Sequence, residues 1–270
     1  MRVLFFIVIV ILILVALLWL GLQIPPQPFT PYPEQGKTPE TIALPSGLPK
    51  PVDRFYRTVY GDNIPVIKTA VISGRATMRP VGPLSMPARF RFTHIAGQDY
   101  RHYIETTLFG LPTMQVNERY LNNQARMELP FGIDEGEKLN QAANLGLWAE
   151  TLWMPAVFLT DERVHWQAVD DNTAILLVPF EDQQDAFVVR FDPQSGLVSW
   201  FESMRYHDSK STTKVLWLNQ ATQWEERNGK PVFVQGAATW MDDGKPWAVF
   251  TAEDILFNVD VSEYIQAKGL

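Results

Sequence analysis

Residues 88–108 read ARFRFTHIAGQDYRHYIETTL, and this stretch decides the class of the fold. Ala88, Phe90 and Phe92 occupy every second position, and so do Tyr100, His102, Ile104, Thr106 and Leu108. A period of two places one set of side chains on one face of a strand. Between the runs, Ala96-Gly97-Gln98 supplies a turn, because glycine reaches backbone angles closed to other residues. The expected unit is an antiparallel hairpin.

The same alternation recurs outward from this hairpin. It appears in Met114-Val116, Val164-Trp166-Ala168, Phe187-Val189-Phe191, Val198-Trp200, Val215-Trp217, Val232-Val234 and Trp247-Val249. Turn-forming segments separate the runs: Asp170-Asp171-Asn172, residues 192–196, residues 227–230 and Asp242-Asp243-Gly244. No βαβ alternation, glycine-rich phosphate loop or fixed-period repeat is present. The pattern predicts a mainly β domain of about ten strands in one curved antiparallel sheet or open barrel. One central helix is expected over Glu135–Trp153, stopped by Pro155. Its Leu139, Ala142, Ala143, Gly146 and Trp153 fall within about 80° of one another, and Glu150 lies near the middle of that stripe. A short C-terminal helix is expected after Asp260, with Val261, Tyr264 and Ile265 facing inward.

Val3–Leu22 is an uninterrupted apolar run. As a helix it is about 30 Å long, enough to cross a hydrocarbon core. Arg2 before it and no positive charge after it until Lys37 place the amino end in the cytoplasm and the rest outside. The rival reading is a cleaved secretory signal, but the run exceeds the usual apolar region and Gly21-Leu22-Gln23 offers no small-x-small site. The expected organisation is a transmembrane anchor over residues 1–22, a proline-rich linker over 23–47 and an extracytoplasmic domain over 48–270, held at the cytoplasmic (inner) membrane by a single pass. Nine prolines between Pro25 and Pro51 favour a semi-rigid extended spacer, with Ile42 and Leu44 hinting that part of it packs along the domain. Residues 48–60 form a short amphipathic segment, with Val52, Phe55, Tyr56 and Val59 at helical spacing.

A net charge of −7 without any Lys/Arg cluster argues against nucleic acid and against adhesion to anionic lipid headgroups. Zero cysteines exclude disulfide staples, zinc–thiolate sites and iron–sulfur clusters. No cofactor is expected.

Glu150 is the most informative candidate, because a carboxyl on an apolar stripe loses hydration and must either shift its pKa or find a partner. The bland reading is an arginine or tryptophan N–H satisfying it from the sheet. His94, His102, His165 and His207 form no recognised metal motif. His94 and His102 can face each other across the hairpin, but a third ligand is undefined, so no metal is assigned. Asp170-Asp171 reads either as a carboxylate pair or as an ordinary turn, and Asp242-Asp243-Gly244 as a turn. There is no nucleophile-elbow serine, so no catalytic residue is assigned. Eight tryptophans follow the anchor, among them Trp148, Trp153 and Trp166. They either fill the core or line an apolar cavity.

Leu48-Pro49-x-Pro51-Val52-x-Arg54-Phe55-Tyr56, Gly74-Arg75, Glu150-x-x-Trp153-x-Pro155-Ala156, Trp166, Asp170-Asp171-x-x-Ala174, Phe191-Asp192-x-x-x-Gly196 and Ala238-x-Trp240 together resemble an uncharacterised family of bacterial and archaeal membrane-anchored proteins. The resemblance spans about residues 45–258 and implies no activity. It draws attention to Glu150, Trp153, Trp166, Asp170 and Asp171 as a shared constellation. The expected architecture is also similar, more loosely, to the curved half-barrels of periplasmic lipoprotein carriers, which cradle acyl chains over a helix.

The leading expectation is a non-enzymatic module holding a lipid-like or apolar ligand between sheet and helix. Trp148, Trp153, Trp166 and Leu147 are candidate walls, Glu150 orients a headgroup, and Asp170 and Asp171 are further candidates. The alternatives are a hydrolase using Glu150 with Asp170 or Asp171 in one cleft, and an envelope scaffold presenting an exposed apolar patch.

Overall fold

Two antiparallel meanders share one sheet in the computed structural model, which describes residues 2–270. Met1, the first residue of the expected anchor segment, lies outside the described residues. Helix α1 (Arg2–Gln23) leads into an extended arm, and a small ribbon of β1 (Thr41–Ala43) and β2 (Asn63–Pro65) brackets α2 (Lys50–Val59). The first meander runs through β3 (Thr69–Val81), β4 (Leu84–Ile95), β5 (Asp99–Leu108), β6 (Leu111–Leu121), β7 (Gln124–Leu129) and β8 (Gly132–Glu135). Helix α3 (Glu137–Glu150), a 3-10 turn at Thr151–Trp153 and α4 (Val157–Thr160) then carry the chain to the second meander. That meander comprises β9 (His165–Asp170), β10 (Thr173–Phe180), β11 (Gln183–Phe191), β12 (Val198–Arg205), β13 (Val215–Arg227), β14 (Lys230–Trp240) and β15 (Pro246–Phe257), followed by α5 (Ser262–Gln266).

Strand β15 pairs with β3 and joins the two meanders, giving a 13-stranded sheet ordered β8-β7-β6-β5-β4-β3-β15-β14-β13-β12-β11-β10-β9. The sheet is curved and not closed. The strands beyond the expected ten are β3, β7 and β8. Strand β3 does alternate, with Ile72, Gly74, Ala76 and Met78 buried and Ser73, Arg75, Thr77 and Arg79 less so, but it starts with Ala70 and Val71 buried on both faces and carries Gly74 mid-strand, which weakens the signal. Strands β7 and β8 are short, partly exposed and polar, lying at one edge. Helix α3 ends at Glu150 rather than continuing to Trp153, because the last turn tightens into the 3-10 turn before Pro155. Helix α5 begins at Ser262, whose backbone N–H donates to Asp260 Oδ1.

The inner face carries Phe90, Phe92, His94, Tyr100, His102 and Tyr120, and α3 lies across it. The outer face carries Arg89, Arg91, Arg101, Tyr103 and Glu105. The proline-rich arm lies flat on this outer face rather than standing off as a spacer. Its carbonyls have no partners of their own in an extended conformation, and sheet arginines supply donors: Arg89 donates to Gln27 O at 3.0 Å and Arg91 to Thr30 O. Phe29 sits against Tyr103 with the Arg89 guanidinium 4.3 Å from its ring centre. Tyr32 donates to Asp260 O, and Lys37 N to Phe257 O at 3.1 Å.

Helix α1 is long and apolar enough to cross a membrane. Its last turn touches the domain, where Phe109 N donates to Gly21 O at 2.9 Å. A Cβ at Gly21 would stand 2.6 Å from the Phe109 ring, so a larger residue there would have to push the Phe109 and Leu108 side chains aside.

Candidate functional site

Cross-strand register assembles the polar end of the site. Phe92 of β4 pairs with His102 of β5, which pairs with Glu118 of β6; the next row is His94, Tyr100 and Tyr120. His94 and His102 are therefore diagonal neighbours, not directly opposed, with ring centres 5.8 Å apart. The small residues Ala143 and Gly146 keep α3 close to these strands, and Glu150, at its last position, reaches between the two imidazoles.

Glu150 Oε2 lies 2.7 Å from His102 Nε2 and 3.3 Å from His94 Nε2. Glu118 Oε2 lies 3.7 Å from His102 Nδ1, while Tyr100 Oη donates to Glu118 Oε1 at 2.5 Å. The Tyr100 ring stacks on His102 at 3.9 Å. From the end of β12, Arg205 donates to Ala142 O of α3 at 2.8 Å and lies 4.3 Å over the Trp217 ring.

Burial opposes ionisation of Glu150, but the adjacent imidazoles outweigh it and hold the carboxyl down to about 2. Burial likewise opposes a charge on His102, and the two glutamates overcome it, pushing the imidazole up to about 9. His94 moves the other way: burial dominates and lowers its pKa. Burial raises Glu118, but His102, Tyr100 and Arg205 together hold it below its ordinary value. Burial lowers the Arg205 pKa against the pull of Glu118. Two carboxylates, an imidazolium and a guanidinium thus neutralise one another at the end of a cavity.

That cavity has a volume of about 290 Å³ and lies between α3 and the inner face. Phe92, Ile104, Leu152, Trp153, Phe201, Phe233 and Phe250 form apolar walls, and His102, Glu118, Glu150 and Arg205 form the charged end. Trp217, Trp240, Trp247 and the exposed His207 line it toward the ends of β12 to β15. Among the described residues, the buried Nε1 of Trp153, Trp217 and Trp247 and Nδ2 of Asn219 have no hydrogen-bond partner. All four are donors.

Of the residues singled out from sequence, Glu150 and Trp153 line the cavity. Trp148 is fully buried and stacks on Phe158, Trp166 packs edge-on against Phe158, and Leu147 is buried; none of the three lines the cavity. Asp170 and Asp171 sit at the β9–β10 turn, where Asp170 Oδ1 accepts from Asn172 N and Asp171 pairs with Lys50 on the surface. They share no cleft with Glu150, because that turn projects to solvent while Glu150 faces inward. Glu118 and Arg205 were not identified from sequence. Glu118 continues the alternation of Met114-Val116, which is a readable signal; Arg205, the last residue of β12, lies beyond the short run Val198-Trp200 that marks the strand. Seven of the eight tryptophans divide between the two readings: Trp153, Trp217, Trp240 and Trp247 line the cavity, whereas Trp148, Trp166 and Trp224 pack in the core; Trp200 does neither.

Among solved structures, the chain is similar to a LolA superfamily protein from Nitrosomonas europaea, with a TM-score of 0.47 and 8% identity over 81% of this chain and 96% of that one. It is also similar to a DUF1329 family protein from Desulfovibrio piger, with a TM-score of 0.41 and 13% identity over 74% of this chain and 90% of that one. No curated protein matches it. Residues 38–252, the span that carries the Leu48–Trp240 motifs, match DUF6544, a family of unknown function, and the chain belongs to that family.

Proposed function

We propose that this protein is a membrane-tethered, non-enzymatic binder of a single amphiphilic molecule on the outer side of a cytoplasmic membrane. The observation that carries the reading is the cavity: apolar on its walls, charged at one end, and fringed by donors without acceptors. A volume of about 290 Å³ lies at the lower bound of ordinary ligand pockets, about 300–1,000 Å³. It suits one acyl chain or a small amphiphile better than a lipid with several chains. Unpaired indole N–H groups, Asn219 and the Arg205 guanidinium favour a headgroup rich in acceptor oxygens.

Retention of α1 as an anchor is supported by the Phe109 N–H to Gly21 contact, which cleavage at the end of the apolar run would remove. Arg2 favours a cytoplasmic amino end. The turns β3–β4, β5–β6 and β7–β8 share one end of the sheet, since alternate turns of a meander fall on the same side. Leu84, Phe109, Leu111 and Phe131 are exposed there, next to the end of α1. His207 and Trp247 lie at that same end, which gives a ligand a route between bilayer and cavity.

Native mass spectrometry of the full chain released from detergent micelles tests the proposal. One bound amphiphile per chain is expected, with occupancy reduced in Ala238→Leu, whose longer side chain projects into the cavity. Chains that carry no amphiphile after exposure to lipid extract contradict it.

A further inference from the structure

We propose that His94, His102 and Glu150 bind a first-row divalent metal ion of the zinc type. One donor atom from each of these residues lies within 4.8 Å of the others. Two ligands held about 2.0–2.1 Å from a tetrahedral zinc ion stand about 3.3 Å apart. The His94 Nε2 to Glu150 Oε2 separation is 3.3 Å, already that of two tetrahedral ligands, and the His102 Nε2 to Glu150 Oε2 separation is 2.7 Å, about half an ångström short of it.

Orientation separates this arrangement from a plain ion pair. An imidazole paired with a carboxylate normally points its N–H at the oxygen. Here the three atoms converge, yet His94 Nε2, His102 Nε2 and Glu150 Oε2 are all buried without an aligned hydrogen bond among the described residues. His94 is 0% exposed, and neither of its ring nitrogens has a partner. Leaving such an imidazole unsatisfied is costly, and coordination through Nε2 relieves it.

The surroundings fit as well. Glu118 stands 3.7 Å from His102 Nδ1 and is itself fixed by Tyr100, a small side-chain shift from the carboxylate–histidine–metal hydrogen bond that orients metal ligands. Glu150 brings one negative charge to the ion directly, and Glu118 a second one nearby that it shares with Arg205. Imidazole and carboxylate donors without thiolates suit zinc, iron(II) or manganese(II) rather than thiophilic ions. His102 and Glu150 also line the cavity, so a ligand there has access to the metal's remaining position. His102 and Glu150 belong to the charged end of the cavity, so the inference shares residues with the amphiphile reading, but metal uptake and amphiphile occupancy are separate measurements and either can fail alone.

The test uses the full chain in detergent, stripped with a chelator and titrated with Co²⁺ and then Zn²⁺. One Co²⁺ per chain with the intense visible absorption of a tetrahedral site, displaced by Zn²⁺, is expected. His94→Ala and Glu150→Gln should abolish that spectrum, and Glu118→Gln should weaken Zn²⁺ affinity about 10–100-fold. His165→Ala, remote from the three donors, should leave it intact. Circular dichroism identifies any variant that fails to fold, and Glu118→Gln, which removes no ligand, then serves as the deciding variant. Absence of Co²⁺ uptake by the stripped wild-type chain overturns the proposal. Uptake unchanged in Glu150→Gln or Glu118→Gln, marking a surface site, overturns it too.

Discussion

Glu118 faces two cations and a phenol at once. It sits behind the His102 imidazole, accepts from Tyr100, and offers Arg205 negative charge. Removing one partner of a buried charged set leaves the others uncompensated, which typically costs about 3–5 kcal/mol. Glu118→Ala should therefore lower unfolding stability by about that amount in urea titration; a loss below about 1 kcal/mol would show that water already serves these cations. The legibility of individual residues follows the same division between local and distant partners. Glu150 stands out in sequence because its neighbours on the α3 wheel are small or apolar, so its oddity is local. The importance of Glu118 and Arg205 comes from partners on other strands and on α3, which one chain read in order does not bring together. Asp170 and Asp171 show the converse: their local reading as a turn agrees with where they sit, and their distance from Glu150 follows from the fold of the second meander.

Among the elements, the turns at the α1 end differ most from an ordinary soluble surface. Phe131 at the β7–β8 turn is 94% exposed and Leu111 at the β5–β6 turn 68%. Large apolar side chains fully exposed beside an apolar helix suit the bilayer interface, where aromatic rings settle at headgroup level. The absence of cysteine allows one label to be placed at will. An environment-sensitive fluorophore on Phe131→Cys should shift to the blue when the full chain enters lipid nanodiscs, and the same label on Asn228→Cys, at the opposite end of the sheet, should not. Equal response at both positions would contradict the orientation. Strands facing one apolar and one wetter side, such as β11 and β12, were legible from their alternation, and so was β4, whose outward side chains are polar although the arm covers them. Strand β3 carries the same alternation over Ile72 to Arg79, but its start is covered on both faces, by the inner core and by the cluster of Tyr32, Val71, Val259 and Val261, and Gly74 breaks its apolar side. The arm's docking was only hinted at by Ile42 and Leu44, since proline density reports extension but not the arginines that receive its carbonyls.

For the molecule as a whole, the β3–β15 pairing matters most, because it alone turns two meanders into one curved sheet with a shared inner face. Gly74 sits in that seam opposite Ala252, where β15 is bulged. A Cβ at Gly74 would lie 2.0 Å from Thr251 O, a backbone atom that cannot move aside cheaply. Gly74→Ala should destabilise the protein by about 1–3 kcal/mol or more, read as a lower urea midpoint; an unchanged midpoint would mean the seam is slack. With the seam intact, α3 spans both meanders and the cavity lies beneath it, lined by Trp153, Trp217, Trp240 and Trp247. Quenching of tryptophan fluorescence by a brominated single-chain fatty acid, with the full chain in nanodiscs, examines that enclosure directly. Occupancy of the cavity predicts saturable quenching at one equivalent per chain that is largely lost in Ala238→Leu. Quenching that rises without saturation and is the same in both proteins would place the probe in the bilayer beside Trp19 alone and contradict the account.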